Sequence, residues 1–321
     1  GFDHFTVFTN DCEDGTDRML NRLAELGGVT HVPNPGPYDQ RGVQFTALKA
    51  AAKRPEVRAA DWILPLDIDE FVNIHTGGHR LADLHAALPE ATAITLTWRL
   101  FGSSGKLHYE DAPVTESFTR CAPRVMHWPW RAAMFKTLYR NDGTYRKPGV
   151  HRPRDPDPER LDSARWYDGH GRALGRDIRT ERIFSAFGQD NHGLVQLNHY
   201  PLGAMESYLL KVARGRAVHG ADRLGMDYWV ERNFNTETDE SVNALAPARN
   251  AELARLRADP VLGPLHERAV AWRHDRFQAL MREEPMRALL GRLMMTPPSQ
   301  ALPARAAQLL LSHARAAQAR P

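Results

Sequence analysis

The sequence predicts an α/β fold: a mostly parallel central sheet flanked by helices, followed by a helical C-terminal extension. Three observations carry that expectation. Within the first hundred residues, aromatic and β-branched segments alternate with segments of helical spacing, the order expected of strands joined by crossover helices. Acidic, polar turns close two of the strand-like segments, where open α/β sheets place their ligands. Beyond Glu237 the composition shifts to Ala, Leu, Arg and Glu, the mixture of surface helices.

Taken in order, His4 to Thr9 (HFTVFT) reads as a strand that ends in the polar turn Asn10 to Thr16. Asp17 to Leu26 carries Met19, Leu20, Leu23 and Leu26 at helical spacing, and Gly27-Gly28 supplies the stop. Val29 to Val32 is a second strand, and a Pro/Gly loop from Pro33 to Tyr38 precedes a helix from about Gln40 to Lys53. Trp62 to Leu66 is a third strand, Leu81 to Leu88 a short helix, and Ala93 to Leu100 a fourth strand. Short extended pieces follow at Ser117 to Cys121, Ala133 to Tyr139 and Gly149 to His151, then a Pro-, Asp- and Arg-rich loop from Pro153 to Gly175. Gly193 to Tyr200 returns to strand composition, and Ala204 to Arg214 reads as a helix closed by Gly215. The last helix spans about Ala304 to Ala319.

A chain of 321 residues with 42% hydrophobic and 25% charged residues buries a sizeable core. A net charge of +3 argues against a dedicated nucleic-acid partner and suits a surface that meets phosphorylated substrates or anionic lipid. Cys12 and Cys121 are the only cysteines, which excludes a disulfide scaffold or a thiolate zinc centre. Two free thiols fit a reducing compartment, so the expected setting is cytoplasmic, with peripheral association at the inner face of the membrane; a single pairing of the two stays open. No run is long enough to span a bilayer.

The acidic cluster Asp67-Ile68-Asp69-Glu70-Phe71 follows the apolar run Trp62, Ile63, Leu64 and Leu66. Asp67 and Asp69 share one face of an extended segment, so they can turn two carboxylates toward one hard cation, Mn²⁺ or Mg²⁺. Such an ion neutralises a diphosphate leaving group. Glu70 reads as a base, as a carboxylate that orients the other ligands, or as a cap at a helix start. Its neighbours favour orientation. Three clustered carboxylates also require a cation or nearby Arg and Lys to offset their repulsion.

The chain carries Asn-Asp-Cys-x-Asp-Gly-Thr at 10 to 16, Ala60-Asp61-Trp62-Ile63 before Asp67-x-Asp-Glu-Phe, and Trp98-Arg99-Leu100-Phe101-Gly102-Ser103-Ser104-Gly105. Asn198-His199-Tyr200 follows, with Glu206, Lys211 and Arg214-Gly215. In combination these motifs resemble the bacterial family 2-like glycosyltransferases and the related family 92 enzymes over roughly residues 1 to 240. The resemblance implies a GT-A fold and an inverting, metal-dependent transfer from a nucleotide diphosphate sugar, taken as UDP-linked. It divides residues 1–240 into a donor part at about 1–110 and an acceptor part at about 111–240, with 241–321 as the extension. It implies that Asp67 and Asp69 match the metal-binding D-x-D motif and that Asn10, Asp11 and Asp14 fall where such enzymes contact the nucleotide. Members begin with a further strand and helix that hold the base, so the resemblance also implies a longer N-terminal part.

Two histidines end short extended segments, His151 in Gly-Val-His-Arg-Pro and His199 in Leu-Asn-His-Tyr-Pro. Either can complete the metal shell, or bond to backbone at a strand end. Lys136, Arg152, Lys211 and Arg214 are candidates for the diphosphate or an anionic acceptor, and Lys136 stands out because it interrupts the apolar run Met-Phe-Lys-Thr-Leu-Tyr. For the base that takes the acceptor proton, the candidates are Glu116 and Asp227, the latter before Tyr228-Trp229. Glu206 reads as a capping or pairing residue. Trp98 reads as core, whereas Trp128 and Trp130 could form a sugar platform.

The expected function is therefore transfer of a sugar to a glycan, lipid-linked or peptide hydroxyl, with surface polysaccharide assembly as its setting. Two other classes compete. A metal-dependent phospho- or nucleotidyltransferase would use the same carboxylates with a second acidic cluster. A non-catalytic glycan-binding or scaffold protein would keep the fold without donor turnover.

Overall fold

In the computed structural model, residues 1–38, 42–215 and 224–318 are described. Strands β1 (Phe5–Thr9) and β2 (Val29–Pro33) pair in parallel, with α1 (Thr16–Leu26) as the crossover between them. Gly27, at φ 97°, ends α1 in a conformation that favours glycine. Helix α2 (Gly42–Ala51) lies inside the expected span, whose start at Gln40 falls outside the described residues. A short α3 (Pro55–Ala59) then leads into β3 (Trp62–Ile63), two residues long where five were expected. The acidic turn follows, and β4 (Glu70–Ile74), which the sequence reading did not foresee, begins on Glu70 itself. Glu70 is thus a strand residue and caps no helix.

Helix α4 (Leu81–Ala87) and strand β5 (Ala93–Leu100) match expectation. All eight residues of β5 are buried, as for a central strand covered on both faces. The middle of the chain holds α5 (Val114–Ser117), β6 (Arg120–Cys121), a 3-10 turn at Trp130–Ala133, β7 (Phe135–Arg140), β8 (Tyr145–Lys147) and β9 (Arg154–Pro156). After them come α6 (Pro158–Leu161), β10 (Trp166–Asp168) and α7 (Arg176–Thr180). The extended pieces expected at Ser117 to Cys121 and Gly149 to His151 shrink to β6 and to bends. Strand β11 (Val195–His199) and helix α8 (Met205–Arg214) match expectation, and α9 (Met226–Val230) and β12 (Glu237–Thr238) follow. The extension comprises a 3-10 turn at Ser241–Leu245, α10 (Ala246–Arg257), α11 (Leu262–Leu280), α12 (Glu284–Met295) and α13 (Ala304–Gln318). Ala319, the expected end of α13, lies outside the described residues.

The central sheet has six strands, in the order β3-β7-β5-β11-β4 with β10 also on β5. It is mixed, not mostly parallel: β10 and β11 run parallel to β5, while the β5–β7, β3–β7 and β4–β11 pairs are antiparallel. The reason lies between β5 and β7, where the only α-helix is the single turn α5. A parallel return needs a crossover connection.

Register sorts the side chains. Residues directly opposite in a ladder share a face, so Ile94, Leu96, Trp98 and Leu100 align with Lys136, Leu138, Val195, Leu197, His199 and Glu70. This first face packs its apolar members against Leu84 of α4 and Leu88 just after it. Each such buried aliphatic side chain contributes roughly 1.5–3 kcal/mol. On the second face, Ala93 packs with Phe135, Tyr139 and Trp166. That face also carries a polar network. Arg99 donates to Asp239 and Glu237 at 2.7 Å each, and Gln196 donates to Asp239 at 2.8 Å and to Asn198 at 2.7 Å. Asn198 donates to Tyr200 Oη at 3.1 Å.

A further cluster, including Tyr208, Leu209, Trp229, Leu280, Leu289 and Leu293, seats α11 and α12 on α8 and α9. The bidentate pair between Arg22 of α1 and Asp259 closes the extension onto the first crossover. No helix among the described residues is long and apolar enough to cross a membrane, and Cys12 and Cys121 are both free.

Candidate functional site

The first face of the sheet turns from apolar to ionic at one end. Three elements meet there: the Asp67–Glu70 turn entering β4, Lys136 on β7, and His199 at the end of β11. The turn is held from inside. Glu70 N donates to the Asp67 carbonyl at 3.1 Å, and Asp67 N donates to Glu70 Oε2 at 2.8 Å. Tyr200 N donates to the Asp69 carbonyl at 2.9 Å, which prolongs the β4–β11 ladder by one bond. These bonds leave Ile68 pointing outward, 93% exposed, the most exposed large apolar side chain among the described residues.

Glu70 is fully buried and takes a donor on each oxygen: Trp98 Nε1 at 2.7 Å on Oε1, and the Asp67 amide on Oε2. Lys136 Nζ lies 3.5 Å from Glu70 Oε2 and donates to Asp67 Oδ2 at 2.8 Å. The other Asp67 oxygen accepts from Gln44 Nε2 of α2 at 2.7 Å. Asp69 faces a different pair. Its Oδ2 accepts from Lys211 Nζ of α8 at 3.1 Å, and its Oδ1 lies 3.6 Å from His199 Nε2. Lys211 also donates to the Pro201 carbonyl at 2.7 Å, which fixes its reach.

The electrostatics follow from this packing. Burial pushes the Glu70 carboxyl above its ordinary range, and Lys136 works against that shift. Burial opposes the charge on Lys136, yet Glu70 and Asp67 outweigh it and raise its pKa. Burial likewise opposes ionisation of Asp69, but His199 and Lys211 hold its carboxyl below the usual carboxylate range. His199 is pushed down to about 4 by burial, against the pull of Asp69. It is therefore a neutral imidazole at neutral pH, able to offer a lone pair. Its ring lies against Trp98, with centroids 4.3 Å apart. His151 is also lowered to about 4, by burial and by the charge of Lys136. It bonds the Phe135 carbonyl through Nδ1 at 2.9 Å and meets Trp98 edge-on.

Of the residues singled out in the sequence, Asp67, Asp69, Glu70, Lys136, His199, Lys211 and, one layer back, His151 are brought together. Others are not. Arg152 donates from Nη1 to the Pro153 carbonyl at 3.1 Å, and no ion pair among the described residues joins it to Asp67, Asp69 or Glu70. Glu116 pairs with Arg249 of α10. Glu206 accepts from His108 Nδ1 and the Tyr109 amide, both at 2.8 Å, the pairing role expected of it. Arg214 is exposed at the end of α8. Asp227 opens α9 next to Tyr228, whose ring lies 5.4 Å from Lys211 Nζ. Asn10, Asp11 and Asp14 occupy the loop between β1 and α1. There Asn10 bonds Asp11 at 2.9 Å, and Asp14 accepts from the Thr16 amide at 3.0 Å. Trp130 packs edge-on against Phe184 beneath Arg131, an ordinary wall contact.

Gln44 and Trp98 were missed as site residues. Nothing local marks Gln44. Trp98 carries a signal in hindsight, because a buried indole N–H needs an acceptor and Glu70 is the buried acidic residue within reach.

Among the described residues, no group of three or more His, Cys, Asp and Glu side chains is gathered so as to hold a metal ion by itself. The donor set nevertheless fits a Mg²⁺- or Mn²⁺-type ion bound jointly with a phosphorylated ligand. Asp69 Oδ1 and the neutral His199 Nε2 are 3.6 Å apart, close to the roughly 3 Å between adjacent ligands of a cation with bonds of about 2.1 Å. Such ions are commonly held by one or two protein ligands plus phosphate oxygens.

No protein-family model matches the chain, and no curated protein matches it.

Proposed function

We propose that this chain is a glycosyltransferase of the GT-A type. It moves a sugar from a nucleotide diphosphate donor, UDP-linked in the first instance, to a hydroxyl of a glycan, lipid-linked or peptide acceptor. The observation that supports this reading is the pairing of two part-exposed carboxylates, Asp67 and Asp69, with the ammonium groups of Lys136 and Lys211 and the neutral His199. That mixture suits a ligand with dense negative charge and a bridging cation better than it suits a neutral metabolite.

In this reading Asp69 and His199 hold Mn²⁺ or Mg²⁺, which when bound offsets the charge of the departing diphosphate. Lys211 meets a phosphate oxygen, since a flexible ammonium acts as a mobile point charge. Glu70 takes no proton in the reaction. Both its oxygens already accept hydrogen bonds, so it positions Asp67 and the Trp98 wall. Asp227 serves as base: the acceptor oxygen attacks the anomeric carbon, the bond from that carbon to the diphosphate oxygen breaks, and the acceptor proton passes to the carboxylate. The ion pair with Arg249 makes Glu116 the poorer candidate.

The test is donor turnover against a panel of nucleotide sugars, with and without Mn²⁺, together with calorimetric binding of UDP. Metal-stimulated turnover that falls at least about a hundredfold in Asp69→Ala, of the order expected for loss of an electrostatic group worth roughly 3 kcal/mol, would support the assignment. Metal-dependent binding of nucleotide without turnover would favour the non-catalytic reading. Phosphoryl or nucleotidyl transfer to an acceptor would replace the proposal, and absence of both binding and turnover would end it.

A further inference from the structure

The last two helices carry a feature that the proposed reaction does not use. After Glu284 the sequence contains five arginines and no acidic residue. On α12 one stripe, Leu289 and Leu293, is buried against the body. The opposite stripe runs through Arg287, Gly291 and Met295, with Arg292 and Met294 beside it; these are helical neighbours at i, i+4 and i, i+3 spacing. Met294 is 59% and Met295 77% exposed, and a Cβ at Gly291 would meet nothing within 4 Å. The pattern recurs on α13. Arg305, Leu309 and His313 follow one another at i, i+4 and i+8 and are all exposed, Leu309 at 58%. Ala307, on the other side, is buried.

Isolated exposed apolar residues are ordinary. Here two successive helices each place long apolar side chains among arginines, with no carboxylate of their own after the first turn of α12. A protein partner would have to be both acidic and apolar at matching positions. An anionic bilayer surface supplies both, with phosphate at the level of the arginines and acyl chain just below it.

We propose that the exposed stripe of α12 docks the protein on an anionic lipid surface, with Met294 and Met295 entering the headgroup boundary and Arg287 and Arg292 meeting lipid phosphates. The inference does not rest on the proposed reaction and stands or falls without it.

The experiment is co-sedimentation of the full chain with vesicles of phosphatidylcholine alone, and of phosphatidylcholine mixed with phosphatidylglycerol. Binding to the mixed vesicles is expected to exceed binding to the neutral ones by about fivefold for each arginine engaged, and to weaken as salt is raised. Arg287→Glu with Arg292→Glu removes the preference for anionic vesicles. Met294→Gln with Met295→Gln lowers binding to the same vesicles while leaving the salt dependence. Because all four side chains are exposed, the unfolding midpoints of both variants should match the parent. No partition into anionic vesicles overturns the proposal. So does equal partition into both kinds, or binding to an RNA homopolymer as tight as to anionic vesicles and unaffected by the methionine changes.

Discussion

The two faces of the central sheet carry two polar clusters that differ in one respect. On the second face, Arg99, Asp239, Glu237, Gln196, Asn198 and Tyr200 form a chain of hydrogen bonds. Arg99 and Asp239 are almost completely buried. On the first face the innermost members, Glu70 and Lys136, are sealed in the same way, but the outer carboxylates of Asp67 and Asp69 stay open at 36% and 27% exposure. On the second face one carboxylate, Glu237, opens outward at 45% exposure while its partner Arg99 is buried; on the first face two carboxylates do. The second cluster sets one exposed carboxylate against a buried guanidinium, whereas the first sets two part-exposed carboxylates each beside a lysine ammonium.

The contrast can be broken most strongly on the second face. Asp239→Ala leaves the Arg99 guanidinium buried against Glu237 alone, and urea unfolding should show a loss of about 3–5 kcal/mol. On the first face, acid does comparable work without a mutation. His199 is held near 4 when folded and returns to about 6.5 when unfolded. The unfolded state therefore binds the extra proton between those values, and stability falls as pH drops from about 6.5 to about 4, then levels. The loss from His199 should be on the order of 3 kcal/mol, and His199→Phe should remove that share and leave the like contribution of His151.

A smaller effect sharpens the comparison. Lys136→Met removes the cation beside Glu70, whose carboxyl burial already pushes up. A carboxyl raised in the folded state favours folding fully only below its unfolded value. That carboxyl is already raised to about 8 in the parent, so both proteins should respond alike to pH below that value, and urea unfolding should show the variant falling behind only as pH rises above about 8. Smallest of all, Glu116→Gln removes a part-exposed pair with Arg249 and should change unfolding by less than about 1 kcal/mol. It should leave donor turnover unaltered, and a large loss of turnover would return Glu116 to the role of base.

The ends of this fold were legible and its middle was not. The strand–helix–strand unit at residues 5–33 announces itself through aromatic and β-branched runs stopped by Gly27-Gly28, and β5 through its unbroken apolar content. Lys136 stood out because a charge inside an apolar run needs a partner, and it found Asp67 and Glu70. By contrast, β4 was hidden. Its first residue belongs to an acidic turn, and its pairing with β11 joins residues more than a hundred positions apart. The contact from Gln44 to Asp67 is equally tertiary, a single amide on a helix face. The mixed sheet followed from the absence of a crossover helix after β5, a fact about connection length that residue periodicity does not record.

Trp98 and Arg99 are neighbours on β5 yet serve opposite faces, one bonded to Glu70 and the other to Asp239. The strand therefore has a phase. Sliding it by a single residue would deliver a guanidinium into the cluster around Glu70 and an indole into the ionic chain, so both clusters would fail together. A slip of two residues restores the sides but carries each group about 7 Å along the strand, out of reach of its partner. No near-native pairing of β5 keeps even one of the two clusters intact. In design terms, the chemistry on the two sides doubles as a lock on the alignment of the whole sheet.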